Sequence, residues 1–86
     1  MKIISKNVET VNDEKVINYF FDEENIWVGI RKDSCSWEYQ EDEDDESYLS
    51  GNFVVDGCCV IDYDGCYELP NSVCLALTDL GYTLDL

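Results

Sequence analysis

The chain contains no histidine, a single proline, and no lysine or arginine after Lys32. The first absence removes every histidine-based general base, catalytic triad and metal site. The scarcity of cations leaves 5 basic residues against 20 acidic ones, a net charge of −15 over 86 residues. Such a chain repels nucleic-acid phosphate instead of neutralising it, so direct binding of DNA or RNA is not expected. No apolar run approaches the ~20 residues of a membrane span. Residues 1–8 lack the apolar core of a signal peptide, so the expected setting is the cytosol. Phosphate-binding, dinucleotide-binding and nucleophile-elbow glycine motifs are all missing. So small a scaffold can hardly build a deep cleft around paired carboxylates. Neither catalysis nor a cofactor is expected.

Cysteine and calcium motifs fail in a similar way. Cys35, Cys58, Cys59, Cys66 and Cys74 are odd in number and include no C-x-x-C pair, which argues against zinc and for a reducing compartment. Their expected role is that of small core hydrophobes. Asp62-Tyr63-Asp64-Gly65 matches the middle of a calcium loop, but that frame puts Val60 and Asn71 where carboxylate or similar ligands belong. The same residues suit a hairpin turn better.

What is present is globular. Hydrophobic residues make up 45% and aromatics 13%, too apolar for a disordered acidic tail, and residues 1–86 are expected to form one domain. Lys2–Val8, Lys15–Phe21, Ile26–Lys32 and Trp37–Gln40 have strand composition. Asp22-Glu23-Glu24-Asn25 suits a hairpin connection. Alternation puts Ile26, Val28 and Ile30 on one face and Trp27, Gly29 and Arg31 on the other; Ile17, Tyr19 and Phe21 also share a face. Asp56-Gly57 and Asp64-Gly65 predict two tight turns joining Phe53–Val55, Cys58–Tyr63 and Cys66–Leu69. The expected register sets Val55 opposite Cys58 and Phe53 opposite Val60, with both faces of this meander largely apolar. Pro70 opens a helix whose Val73, Ala76, Leu77 and Leu80 form one stripe and which Gly81 ends. Tyr82–Leu86 alternates and is expected to return to a sheet edge. The fold class is therefore α+β: an antiparallel sheet of about five or six strands with one C-terminal helix packed on one face.

The charge is lopsided. Residues 1–32 hold all five basic residues against six acidic ones, whereas residues 33–86 hold 14 acidic residues and no basic one. A surface shaped only for solubility mixes its signs, because like charges destabilise the compact state. A single-signed field steers a basic partner and fixes its orientation. Same-face carboxylates on a strand repeat about every 6.6 Å, from ~3.3 Å per residue. That matches roughly two phosphate steps of ~3.4 Å along one nucleic-acid strand. Asp33, Glu38, Glu41, Asp42, Glu43, Asp44, Asp45 and Glu46 are the candidate partner-binding carboxylates, with Trp37, Tyr39 and Tyr48 as apolar anchors beside them.

In size, charge and the Glu41–Glu46 run the chain resembles the small acidic inhibitors of CRISPR and restriction enzymes encoded by phages and mobile elements, several of them nucleic-acid mimics. It also resembles acidic immunity proteins that plug nuclease toxins. The resemblance implies a non-enzymatic inhibitor in the host cytosol, occupying a basic nucleic-acid-binding site of a nuclease or effector complex. The alternative is an interaction module or immunity protein that binds a basic partner outside its nucleic-acid groove. The apolar sheet also leaves room for a homodimer through an exposed edge or face.

Overall fold

Period-two alternation and tight turns build most of the molecule. The computed structural model describes residues 1–23, 25–41, 48–64 and 68–86. In chain order the elements are β1 (Ile3–Val11), β2 (Glu14–Phe21), β3 (Ile26–Arg31), β4 (Ser36–Glu41), β5 (Leu49–Asp56), β6 (Cys59–Tyr63), α1 (Asn71–Asp79) and β7 (Thr83–Leu84). Among the described residues the architecture is α+β, one seven-stranded sheet in sequential order with a single short helix. Neighbours from β1 to β6 are antiparallel, and β7 joins β6 in parallel. The two-residue β7 takes the strand number past the expected five or six. Cys66 lies outside the described residues, and Glu68 and Leu69 belong to no strand.

Two turns differ from expectation. β1 continues to Val11, and Asn12-Asp13 turns the chain into β2 with both φ angles positive, 52° and 65°. Asn and Asp tolerate that conformation better than other side-chain-bearing residues. The β5–β6 turn uses Gly57-Cys58, so Asp56 faces Cys59 and Val55 faces Val60. Positive φ falls on Gly57 alone of this pair, 65°, the pattern of a turn with glycine first. A register shift beside Val54 then brings Phe53 opposite Tyr63. Phe53 and Val60 are buried, while Val54 and Ile61 are 51% and 46% exposed. The meander is thus covered on one face and open on the other.

The alternation expected in β2 and β3 decides the core. Tyr19, Phe21, Ile26, Val28 and Ile30 are buried together with Trp37, Phe53 and Val60. The helix supplies Val73, Ala76 and Leu77 to the same cluster and lies against β3, β4 and β7. Each fully buried Val, Ile, Leu or Phe side chain among them contributes about 1.5–3 kcal/mol by leaving water. Pro70 sits at the N-cap, one residue before the expected first turn, and its carbonyl accepts from the N–H groups of Val73 and Cys74. At the other end Gly81 has φ 96° and donates to Thr78, while Tyr82 donates to Leu77. That pair of bonds satisfies the last carbonyls of the helix. Gly51 lies under the ring of Trp37, and a Cβ there would run into the carbonyl oxygen of Asp64.

The opposite face of β1–β4 is held by polar contacts. Trp27 Nε1 donates to Asn18 Oδ1 at 2.9 Å, and Asn18 Nδ2 donates to Asn7 Oδ1 at 3.1 Å. Arg31 lies between Glu14 and Glu38 and pairs with both. Of the four described cysteines, Cys58 departs from the expected core role and is exposed; Cys35, Cys59 and Cys74 are half-buried, Cys35 packs against the core, and all four are free thiols. Burial raises the pKa of Cys74 above the ordinary thiol value.

Candidate functional site

Strand order places the acidic residues. In a run of consecutive antiparallel strands, alternate connections leave at the same end. The β2–β3 connection, the end of β4 at Glu41 and the start of β5 at Leu49 therefore share one end of the sheet, and the β1–β2, β3–β4 and β5–β6 turns share the other. The first end holds Asp22, Glu23 and Glu41 among the described residues. Asp42, Glu43, Asp44, Asp45 and Glu46 lie outside the described residues, as does Glu24. Their flanking residues Glu41 and Tyr48 are both at this end.

The electrostatics of Tyr39 tie Glu23 and Glu41 together. Its hydroxyl donates to Glu41 Oε2 at 3.2 Å. Its pKa is raised by burial first, then by the charge of Glu41 and the bond to it, and then by the charge of Glu23. Glu23 of the β2–β3 connection and Glu41 at the end of β4 thus act on one phenol. Asp22 is held below the ordinary carboxylate range, chiefly by the backbone N–H of Lys2, which donates to its Oδ1 at 2.7 Å. The terminal amine and the Lys2 charge add to this.

Other expected site residues are distributed differently. Asp33 sits in the β3–β4 turn at the far end, away from Glu41. Trp37 is 1% exposed and belongs to the core, so it is no anchor for a partner. It shares a face with Tyr39 and Glu41 because all three occupy odd positions of β4. Glu38 faces the opposite way, is neutralised by Arg31, and lines a shallow depression with Tyr48, Ser50 and Asn52. Tyr48 is 43% exposed.

The structure supplies aromatics that the sequence argument passed over. Phe20 lies directly opposite Trp27, next to the β2–β3 connection. Phe20 is 38% exposed and Ile4 is 61% exposed, and the two line a second depression with Trp27, Asn25 and Ile26. Phe20, Trp27 and Tyr48 therefore accompany the acidic end in the part intended for Trp37. Asp22 and Glu23 were equally overlooked as site residues. The hairpin between β2 and β3 was legible, and the parity of connections in a meander would have placed it beside Glu41.

Most cations are engaged elsewhere. Lys6 bonds Asp79 at 3.0 Å, Arg31 bonds Glu14 and Glu38, and Lys32 lies 5.6 Å from the centre of the Tyr82 ring. Lys2 and the terminal amine stand next to the acidic end, beside Asp22. Among the described residues no group of three or more Cys, Asp or Glu converges as metal ligands. No described helix is long and apolar enough to cross a membrane. No family model, curated protein or solved structure matches the chain.

Proposed function

We propose that the protein is a non-enzymatic inhibitor that occupies a basic nucleic-acid-binding site of a nuclease or of a CRISPR or restriction effector. The observation that carries this reading is the placement of Asp22, Glu23 and Glu41 at one end of the sheet, beside exposed Phe20 and Tyr48. Carboxylates of Asp22, Glu23 and Glu41 and of the run after Glu41 take the place of backbone phosphates. Aromatic side chains next to a charged rim supply the apolar contacts that charge alone does not. Long-range attraction between this end and a cationic groove speeds encounter and orients it.

The test is a cleavage assay over a panel of nucleases and effector complexes. Stoichiometric inhibition is expected, with DNA or guide RNA displaced and affinity falling steeply as salt rises. Glu41→Lys, Glu43→Lys and Asp45→Lys together should abolish it. Undiminished inhibition by that variant, or affinity indifferent to salt, would sink the reading. Turnover that stops while nucleic acid stays bound would instead place the contact on a basic surface outside the groove.

A further inference from the structure

At the start of the strand order lies a surface of another kind. β1 is nine residues long, pairs β2 along one side, and has no partner on the other among the described residues. Ile4, Val8 and Val11 on it are 61%, 57% and 36% exposed. An unpaired edge of this length is a template for another strand.

The Asn12-Asp13 turn fixes which backbone groups are free. Its two positive φ angles and the pairing of Val11 with Glu14 define a two-residue hairpin, in which the flanking pair exchanges both backbone bonds. By alternation the N–H and C=O groups of Glu9 and Asn7 also point to β2. Those of Thr10, Val8 and Lys6 point outward. Ile4 sits in a register shift between Ile3 and Ser5, so the regular free edge is residues 6–10.

We propose that this edge pairs antiparallel with the same edge of a second copy, with Val8 on the two-fold axis. A two-fold contact needs a strand that complements itself. Centred on Val8, Lys6 lies opposite the partner's Thr10 and Asn7 opposite the partner's Glu9, so no like charges face each other. Centring on Asn7 would bring the irregularity at Ile4 opposite the partner's Thr10. The axis stands normal to the sheet, so the helix-side faces of both copies look the same way. Val8 and Ile17 form the floor of a shallow groove with Lys15, Lys32 and Asp33 on that face, and pairing joins the two grooves and covers both valines.

Charge selects a second copy for this edge. Two chains of −15 repel, and residues 33–86 carry no cation. β1 lies in the nearly balanced residues 1–32, where five basic residues meet six acidic ones. Two copies meet there with the least opposition, and antiparallel pairing points their acidic ends away from each other. The pairing does not depend on what those ends bind.

Sedimentation velocity over a concentration series, with amide hydrogen exchange, tests it. The apparent mass should rise from 9.9 kDa toward twofold, at lower concentration in high salt because repulsion is screened. The amides of Lys6, Val8 and Thr10 should slow at least about tenfold on association. Val8→Lys, which sets two ammonium groups face to face, should keep the native circular dichroism and restore the monomer mass. Should Val8→Lys fail to fold, Thr10→Pro removes an outward N–H without touching the β1–β2 bonds and should do the same. A monomer at every concentration and salt overturns the proposal. So does a dimer whose Lys6, Val8 and Thr10 amides stay unprotected, or protection that arises only with a nuclease present. Salt strengthens this contact and weakens target binding, so the two proposals fail by separate results.

Discussion

Asp22, Glu23 and Glu41 stand at one end of the β2–β5 meander, whereas Asp13, Lys15, Lys32 and Asp33 stand at the other. At the far end cations and carboxylates are mixed, and Lys32 lies over an aromatic ring. Overall acidity therefore does not force an end rich in carboxylates. The concentration of Asp22, Glu23 and Glu41 arises because the β2–β3 connection and the last residue of β4 lie at the same end. Clustering like charges opposes folding, and the shared core must offset it.

That core gives the strongest way to test the comparison. Trp37→Ala should lower stability by about 3–5 kcal/mol, measured by urea denaturation. Because Trp37 is packed with Ile30, Phe53 and Leu77, both ends should lose order together. A loss below about 1 kcal/mol would contradict the burial of its ring. Gly51→Ala follows, at about 1–3 kcal/mol for overpacking. Its new methyl must displace either the Trp37 ring or the Asp64 backbone, and unchanged stability would mean that β5 and Asp64 are not in close approach.

What the sequence revealed and what it hid divide along physical lines. The faces of β3 were legible because Ile26, Val28 and Ile30 alternate with Trp27, Gly29 and Arg31, and burial follows that period. The helix was legible from Pro70, the Val73, Ala76 and Leu77 spacing, and Gly81. The Asn12-Asp13 turn was not, since it carries no glycine to mark it. The β5–β6 register was missed because Gly57 takes the first turn position and the irregularity beside Val54 moves the pairing one residue further along β6. At the site, acidity was plain and location was not. Trp37 was grouped with the acidic run by nearness in sequence, but its parity with Tyr39 in β4 put it in the core. Asp22 and Glu23 became part of the acidic end only through strand order.

A smaller effect separates attraction from repulsion. Asp79 is held below the ordinary carboxylate range, first by its bond from Lys6 and then by that from Tyr19. A depressed folded value means its contribution is present at neutral pH and is lost as pH falls below about 4. Tyr19 moves the opposite way, raised by burial and then by Asp79. Its contribution is present at neutral pH and is lost as pH climbs past about 10. Asp79→Asn should cost under about 1 kcal/mol at neutral pH, since the Lys6 pair is exposed. It should also flatten the acid limb of a stability-against-pH curve. An acid limb identical to that of the parent would remove Asp79 as its source.

The smallest expected effect bears most directly on the acidic end. Glu23→Gln with Glu41→Gln should raise stability by a few tenths of a kcal/mol at low salt, by analogy with like-charge pairs elsewhere. The gain should vanish in high salt. Asp33→Asn at the mixed far end should give no such gain. A spectroscopic readout accompanies the first variant, because the charges of Glu23 and Glu41 raise Tyr39. With both charges removed, burial alone remains, and Tyr39 should ionise at lower pH in an ultraviolet titration. Each single substitution should produce part of that shift, Glu41→Gln the larger part, since Glu41 also accepts the phenol hydrogen bond. If Glu23→Gln left Tyr39 unmoved, Glu23 and Glu41 would not share a field, and the acidic end would separate into two independent sites.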